Sequence, residues 1–461
     1  MAVALPAHRP DIAHPLDDPE RDRRREALML ATAKALPVVH DDRFNLHCHS
    51  FFSYNANGWS PTRVAWELRG AGAFAGGLVD FDALDGMEEF HHAGRLLGLK
   101  TNVSLETRTF NTAFADKVID SPGEPGVSYV CASGFALQPP AHTPAAEFLT
   151  FLRRNAADRN RALVDRINRA LPLLAIQYDQ QVVPRSPGGS PTERHIMDAY
   201  ITRLGEIFPE HGARAAFLAD LLHLDEPQAH PLLRDANALA EKLRARLAKK
   251  GGIAYVQPGP QTFPPLSDFF RWARACGAIP MESWLDGSSE GEADPRALFE
   301  ASREIGAVAL NIIPDRNWSI ADPADKARKV ANLHTVLGVA RDMGWPVQIG
   351  TELNKIGQPL LDNLAAEALA PHLEFFRRSA LLLTGHCLSV RLARVAYGNP
   401  NGVPVAGITF SDDGETFAAL GALPPITQQL FEDYVASGPE RAEDFLRDSV
   451  RAGRWITPTK G

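Results

Sequence analysis

Cysteine is scarce in this chain, and the few present are scattered. Four cysteines, Cys48, Cys131, Cys276 and Cys387, occur in 461 residues without a CxxC pair, so no disulfide framework is expected and a reducing compartment is. Long apolar runs are also lacking: none approaches membrane-spanning length, and the N-terminus has neither the basic start nor the apolar core of a signal peptide. A cytoplasmic protein without membrane association is expected. Basic excess is missing too. A net charge of −8 argues against a nucleic-acid surface and leaves room for a small anionic substrate in a local basic pocket. No internal repeat or low-complexity tract occurs. What remains is the composition of a globular protein, 45% hydrophobic and 23% charged, longer than one ordinary domain and compatible with a barrel carrying insertions.

The organising stretch is Asn45-Leu46-His47-Cys48-His49-Ser50. On an extended strand residues i and i+2 share a face, so His47 and His49 project together, while Cys48 turns into the packing. Such a pair serves as a metal-binding unit or as a plain polar strand terminus. The residues that follow favour the metal. Ser60-Pro61 starts a helix that ends at Gly70-Ala71-Gly72. A short apolar strand, Gly76 to Val79, delivers Asp80-Phe81-Asp82. A second helix runs from Asp85-Gly86 to Leu97, and a strand from Leu99 to Leu105 ends on Glu106. Three strand ends thus bring His47/His49, Asp80 and Glu106 to one rim of a parallel β/α array, the rim that carries active sites.

This pattern resembles the PHP superfamily of metal-dependent phosphoesterases, in particular its members acting on nucleotide or short-oligonucleotide phosphates. Their motifs read HxHS, then TDHD followed by LxG, then a strand ending in Glu. The counterparts are His47-Cys48-His49-Ser50, Val79-Asp80-Phe81-Asp82-Ala83-Leu84-Asp85-Gly86 and Ser104-Leu105-Glu106, with Phe81 in place of a ligand histidine. The resemblance implies an α/β fold, a distorted (β/α)7 barrel of the PHP type with a helical insertion and a helical C-terminal extension. The expected segments are 1–42, a terminal stretch (residues 1 to about 20 disordered or draped on the surface) and a leading helix from Arg21 to Ala35. Then come 43–142, the first part of the barrel; 143–250, the insertion; 251–356, the second part of the barrel; and 357–461, the extension.

Weaker motifs continue in order. A plausible strand over 127–131 offers Ser128 or Tyr129 where the family has another ligand histidine. A loop rich in Gly, Ser and Pro leads into Arg194-His195-Ile196-Met197-Asp198-Ala199, similar to the family's RPHIA-like helix start. That implies a substrate clamp at Arg194 and His195, against the plainer reading of a capped surface helix. The Gly251-Gly252 turn and an apolar strand to Gln257-Pro258-Gly259 match an AHPG motif with Gln257 replacing its histidine. Gly277 to Glu282 resembles a GxDGIEV strand. A helix over 295–305 and a strand over 308–313 lead to a loop in which Arg316 can meet an anion. After a helix from Asp325 to Met343, the strand ending Gly350-Thr351-Glu352-Leu353-Asn354-Lys355 matches GSDxH, with Glu352 for Asp and Asn354 for His. The Asp-Asp-Gly at 412–414 is turn chemistry.

Carried over position by position, the resemblance implies metal ligation by His47, His49, Asp80, Glu106 and Glu352. One site of two imidazoles and two carboxylates suits a single divalent zinc, manganese or iron ion per chain. Asp80 stands either as a ligand or as a carboxylate that orients a ligand histidine. Arg194, His195, Gln257, Asn354 and Arg316 are then expected at the substrate, and Arg108 near the chemistry. The implied reaction is phosphoester hydrolysis by a metal-activated water. Two alternatives stand beside it. One is a single-metal hydrolase, lyase or isomerase working on a carboxylate or sugar with Glu282 or Lys355 as general base. The other is an inactive relative that binds a ligand.

Overall fold

The computed structural model describes residues 14–32, 36–398 and 407–458. Seven strands form one sheet in sequence order: β1 (His40–Cys48), β2 (Ala73–Phe81), β3 (Lys100–Phe110), β4 (Val127–Ser133), β5 (Ile279–Trp284), β6 (Ala309–Ile312) and β7 (Val347–Ile349). The sheet closes on itself just past β7. There Glu352 exchanges two backbone bonds of 2.8 Å with β1, its N–H donating to the His47 carbonyl and its carbonyl accepting from the His49 N–H. The architecture is a distorted (β/α)7 barrel with helical extensions. One strand departs from the parallel expectation: β4 runs antiparallel to both β3 and β5. Its register with β3 (Glu106 opposite Cys131, Arg108 opposite Tyr129) lengthens β3 to Phe110, so Glu106 lies within the strand rather than at its end.

The strands read as continuous buried runs because helices cover the outside and side chains fill the inside. In β2 every residue from Ala73 to Asp80 is buried. Two close approaches depend on glycine. A Cβ on Gly77 would sit 2.2 Å from the Leu46 carbonyl oxygen of β1, and one on Gly350 would sit 2.2 Å from Asn45 Oδ1 and 2.5 Å from the His47 nitrogen. Both glycines therefore let the strand bearing the histidines press against its neighbours. Local signals set the helices between. Ser60 caps Pro61–Gly70 by accepting from the Arg63 N–H at 3.0 Å, and Gly98 ends Met87–Leu97 in the left-handed region at φ 67°.

The leading helix runs from Arg21 to Ala31; the end proposed for it lies partly outside the described residues, as do residues 1–13. Leu16, ahead of it, is buried, and its carbonyl accepts from the Ser60 hydroxyl. Helices over Pro144–Ala170, Glu193–Ile207, His211–Leu222, Glu226–Leu232 and Ala236–Leu247 build the helical segment around a core of their own that includes Ile167, Tyr200, Leu218 and Leu243.

The strand expected after Gly251 does not form. Gly251 takes φ +84°, and Ile253 and Ala254 donate back to the Arg246 and Leu247 carbonyls at 2.9 and 3.0 Å. The apolar residue Ala254 is thereby spent in the helical core, and β5 becomes the neighbour of β4. After β7, helices over Leu373–Ala393, Gly414–Ala422, Gln428–Ser437 and Pro439–Ala452 dominate, with a small parallel pair, β8 (Val395–Tyr397) and β9 (Thr409–Ser411), between them. Asp413 of the Asp-Asp-Gly turn caps the second of these helices, and His386 is held between the Gly134 carbonyl and the Tyr397 N–H. Among the described residues no helix is long and apolar enough to cross a membrane.

Candidate metal centre

His47 and His49, at the end of β1, and Glu106 of β3 converge in the barrel mouth. Glu106 Oε2 lies 3.7 Å from His47 Nε2 and 3.5 Å from His49 Nε2, too far for good hydrogen bonds, and all three residues are buried. They are the one cluster of convergent metal-type ligands among the described residues.

The other ring nitrogens decide the tautomers. His49 Nδ1 meets Ser53 Oγ at 3.0 Å, and that hydroxyl donates its proton to Asp80 Oδ1 at 2.7 Å. Ser53 can therefore only accept from His49, so Nδ1 carries the proton. His47 Nδ1 meets Asn311 Oδ1 at 2.9 Å. Inside the barrel Gln348 Oε1 accepts from Asn102, Ser104 and Ser133 at 2.9, 3.0 and 2.8 Å, which turns its NH₂ toward Asn311 Oδ1 at 3.2 Å. Asn311 thus presents an acceptor, and His47 Nδ1 is again the donor. Both Nε2 lone pairs are left free, buried and without a hydrogen-bond partner. An unpartnered buried nitrogen is costly unless something else takes it.

Electrostatics adds to this. Burial, with His47 beside it, pushes the His49 imidazolium down to about 3, so this ring is neutral at ordinary pH. Burial opposes the charge of His47 too, but Glu106 and Glu352 outweigh it and raise that ring. Burial raises Glu106. Two neutral-capable imidazoles and a carboxylate fit a divalent metal, with the Nδ1 partners acting as orienting groups.

Asp80, read from sequence as a ligand or as a carboxylate that orients a ligand histidine, stands in the second position. Its carboxylate accepts from the Ser50 N–H at 2.8 Å, the Ser50 hydroxyl at 2.7 Å and the Ser53 hydroxyl at 2.7 Å, and so orients His49 through Ser53. Phe81, where a ligand histidine was looked for, stacks on His49 with ring centroids 5.0 Å apart. Glu352 borders the cluster. Burial opposes its charge, yet Arg316, at 2.6 Å, and then the two histidines hold its carboxyl down at about 2.

The centre opens into a cavity of about 570 Å³ between the barrel mouth and the helical segment. Arg108, Arg194, Arg316, Gln257, Asn354 and Tyr129 all line it. These three cations are already paired: Arg108 with Glu124, Arg194 with Glu241 at 2.5 Å and Arg316 with Glu352. Arg159, which sequence reading passed over, also lines the cavity. Its guanidinium lies 4.6 Å from the Phe263 ring centroid, and among the described residues no carboxylate is within ion-pair distance. Nothing in its helical stretch sets it apart from its arginine neighbours.

Glu282, His195, Lys355 and Ser128 are not brought to the cavity. Glu282 is fully buried on the outer side of β5, accepting from the Ser302 hydroxyl and from the Ser283 N–H at 3.1 Å, and burial raises it to about 7. The His195 side chain turns back on its own helix, where Nδ1 accepts from the Thr192 N–H at 3.0 Å. Lys355 is exposed on the loop beyond Glu352. Ser128 meets Thr109 across β4 and β3 at 3.3 Å. Sequence reading also missed Ser53, Asn311 and Gln348. For the interior of the barrel there was a signal, since Asn102, Ser104 and Glu106 alternate with Val103 and Leu105 along one strand face.

No protein-family model and no curated protein matches this sequence. Among solved structures, a protein from Bifidobacterium adolescentis assigned as a metal-dependent phosphoesterase aligns at TM-score 0.44 and 15% identity, over 73% of this chain and 97% of its own. An amidohydrolase from Chromobacterium violaceum, solved with sulfate and no metal, aligns at TM-score 0.45 and 15% identity, over 71% of this chain and 96% of its own.

Proposed function

We propose that this chain is a metal-dependent hydrolase that cleaves a phosphoester of a small anionic molecule, as the PHP-like motifs imply. The observation that supports it most is the pair of free, buried Nε2 lone pairs facing one carboxylate. His47, His49 and Glu106 would hold one zinc, manganese or iron(II) ion. When bound, such an ion supplies Lewis acidity and a water of lowered pKa.

The chain's own groups have separate tasks in this reading. Asn311 and the Ser53–Asp80 pair keep both rings in the ligating tautomer. Phe81 covers one face of His49 and keeps water from that side. Arg159, stacked on Phe263 and without a carboxylate in ion-pair distance, is one cation open to an anionic group of the substrate. The cavity volume suits a small molecule rather than a polymer.

The test is metal content per chain in wild type and His47→Ala, followed by a panel of phosphomonoesters and phosphodiesters. About one equivalent, lost in the variant, with turnover on phosphoesters supports the proposal. Full metal content in His47→Ala refutes the centre. One observation favours a second reading, single-metal hydrolysis of a non-phosphate bond: Arg316, not a further set of ligands, sits beside Glu352. Metal-dependent turnover of carboxylic esters, amides or lactones without turnover of phosphoesters would select it.

A further inference from the structure

Glu352 stands out on three counts. Its backbone is tied to the ligand strand through the two bonds that close the barrel, so its position is fixed relative to His47 and His49. It and Leu353 occupy the left-handed region in succession, at φ 67° and 57°, an unfavourable conformation for residues with a Cβ. Its buried carboxylate is also engaged unevenly. Oε1 accepts from Arg316 Nη2 at 2.6 Å, whereas Oε2 has only Gln358 Nε2 at 3.4 Å. Meanwhile the His47–His49–Glu106 cluster offers three protein ligands, which leaves a divalent ion room for water and for one further carboxylate. The Arg316 side chain is 44% exposed, facing the cavity, and Glu352 is the one carboxylate within ion-pair distance of it among the described residues.

We propose that Arg316 and the metal ion compete for the Glu352 carboxylate, so that metal loading releases the Arg316 guanidinium to receive the anionic group of the substrate. This rests on the metal-centre reading above. It makes Arg316 a binding residue with two alternative partners and gives binding an order, metal first and anion second. A guanidinium suits this exchange because its fork of N–H groups can donate to a carboxylate or to a phosphate.

The experiment is metal affinity of the full chain, stripped and then titrated with Zn²⁺ or Mn²⁺ against a chromophoric chelator. Wild type, Arg316→Ala, Arg316→Lys, Glu352→Gln and His47→Ala are compared. Removing the competitor is expected to tighten the metal in Arg316→Ala by roughly tenfold or more, the scale on which outer partners act on metal affinity. Glu352→Gln loosens it, and Arg316→Lys, which keeps the charge but loses the fork, falls between wild type and Arg316→Ala. Inorganic phosphate, titrated calorimetrically, binds more tightly to metal-loaded wild type than to stripped wild type, and Arg316→Ala loses that gain. A merely structural arginine would leave metal affinity unchanged or weaken it on removal, and either result overturns the exchange. If Arg316→Ala does not fold, Arg316→Lys decides by the same sign. Loss of metal in His47→Ala with no tightening in either arginine variant sinks the exchange and spares the metal centre. Undiminished metal binding by His47→Ala, or none by any variant, sinks both.

Discussion

Replacing Glu282 with Gln separates a buried structural acid from a catalytic base. The side chain has no exposure, and its two oxygens accept from Ser302 and from the Ser283 N–H. Burial, with Glu292 adding to it, lifts its pKa from 4.5 to about 7 against those two hydrogen bonds. The folded chain therefore holds this proton more tightly than the unfolded chain. The stability so gained is present in full below pH 4.5 and lost as pH rises through about 7. At roughly 1.4 kcal/mol per unit the loss is about 3 kcal/mol by pH 8. Glutamine preserves the shape, with its oxygen on the Ser283 N–H and its NH₂ on the Ser302 hydroxyl, and has no charge to bury. Urea unfolding of wild type and Glu282→Gln from pH 5 to 8 should give curves that nearly coincide at the acid end. At pH 8 the variant should be the more stable by about 3 kcal/mol. Metal content and turnover should be unchanged. A variant less stable at every pH, or one that folds and binds metal but loses turnover, would refute the placement of this carboxyl outside the cavity chemistry.

Two further outcomes follow from the same geometry. Asn311→Ala removes the acceptor that fixes the His47 tautomer, so metal affinity measured by chelator competition should fall by about ten- to a hundredfold with the circular dichroism spectrum retained. An affinity equal to wild type would mean that the ring is held by other groups. Arg159→Ala should raise KM for the best ester of the panel by roughly tenfold while changing kcat little, and Arg159→Lys should recover part of it. An equal loss in kcat and kcat/KM would instead put Arg159 at the reacting group.

How much of this was legible in the sequence depended on how local each signal was. The ligand pair is local: alternation along β1 puts His47 and His49 on one face whatever the rest of the chain does. The helix start at Ser60 is local too, because a cap and the N–H it binds lie within one turn. The direction of β4 is not, since a parallel and an antiparallel strand show the same apolar run. Nor is the phase of β5, where all six residues from Ile279 to Trp284 are buried. With Ile279, Met281 and Ser283 on one face and Pro280 and Trp284 beside Glu282 on the other, no apolar/polar alternation tells which way Glu282 points, and motif order alone put it in the site. His195 misled for the opposite reason. The Thr192 N–H three residues before it claimed its side chain, a capping role that looks the same in sequence as a substrate clamp.

The polar interior was the part that could have been read and was not. Asn45, His47 and His49 alternate along β1 as Asn102, Ser104 and Glu106 do along β3. Asn45 Nδ2 donates to the Thr351 hydroxyl at 2.7 Å, and its Oδ1 accepts from the His47 N–H at 3.0 Å. Asn102 begins the chain of amides and hydroxyls that ends on His47 Nδ1. A barrel packed only for stability would fill these positions with Val, Ile and Leu, since a buried polar group returns at best what its hydrogen bonds repay. An uninterrupted polar chain from the barrel interior to one ring nitrogen makes sense if the other nitrogen must keep its lone pair. That requirement ties the interior of the barrel to the chemistry at its mouth, and it predicts that apolar replacement of Gln348 costs metal affinity before it costs the fold.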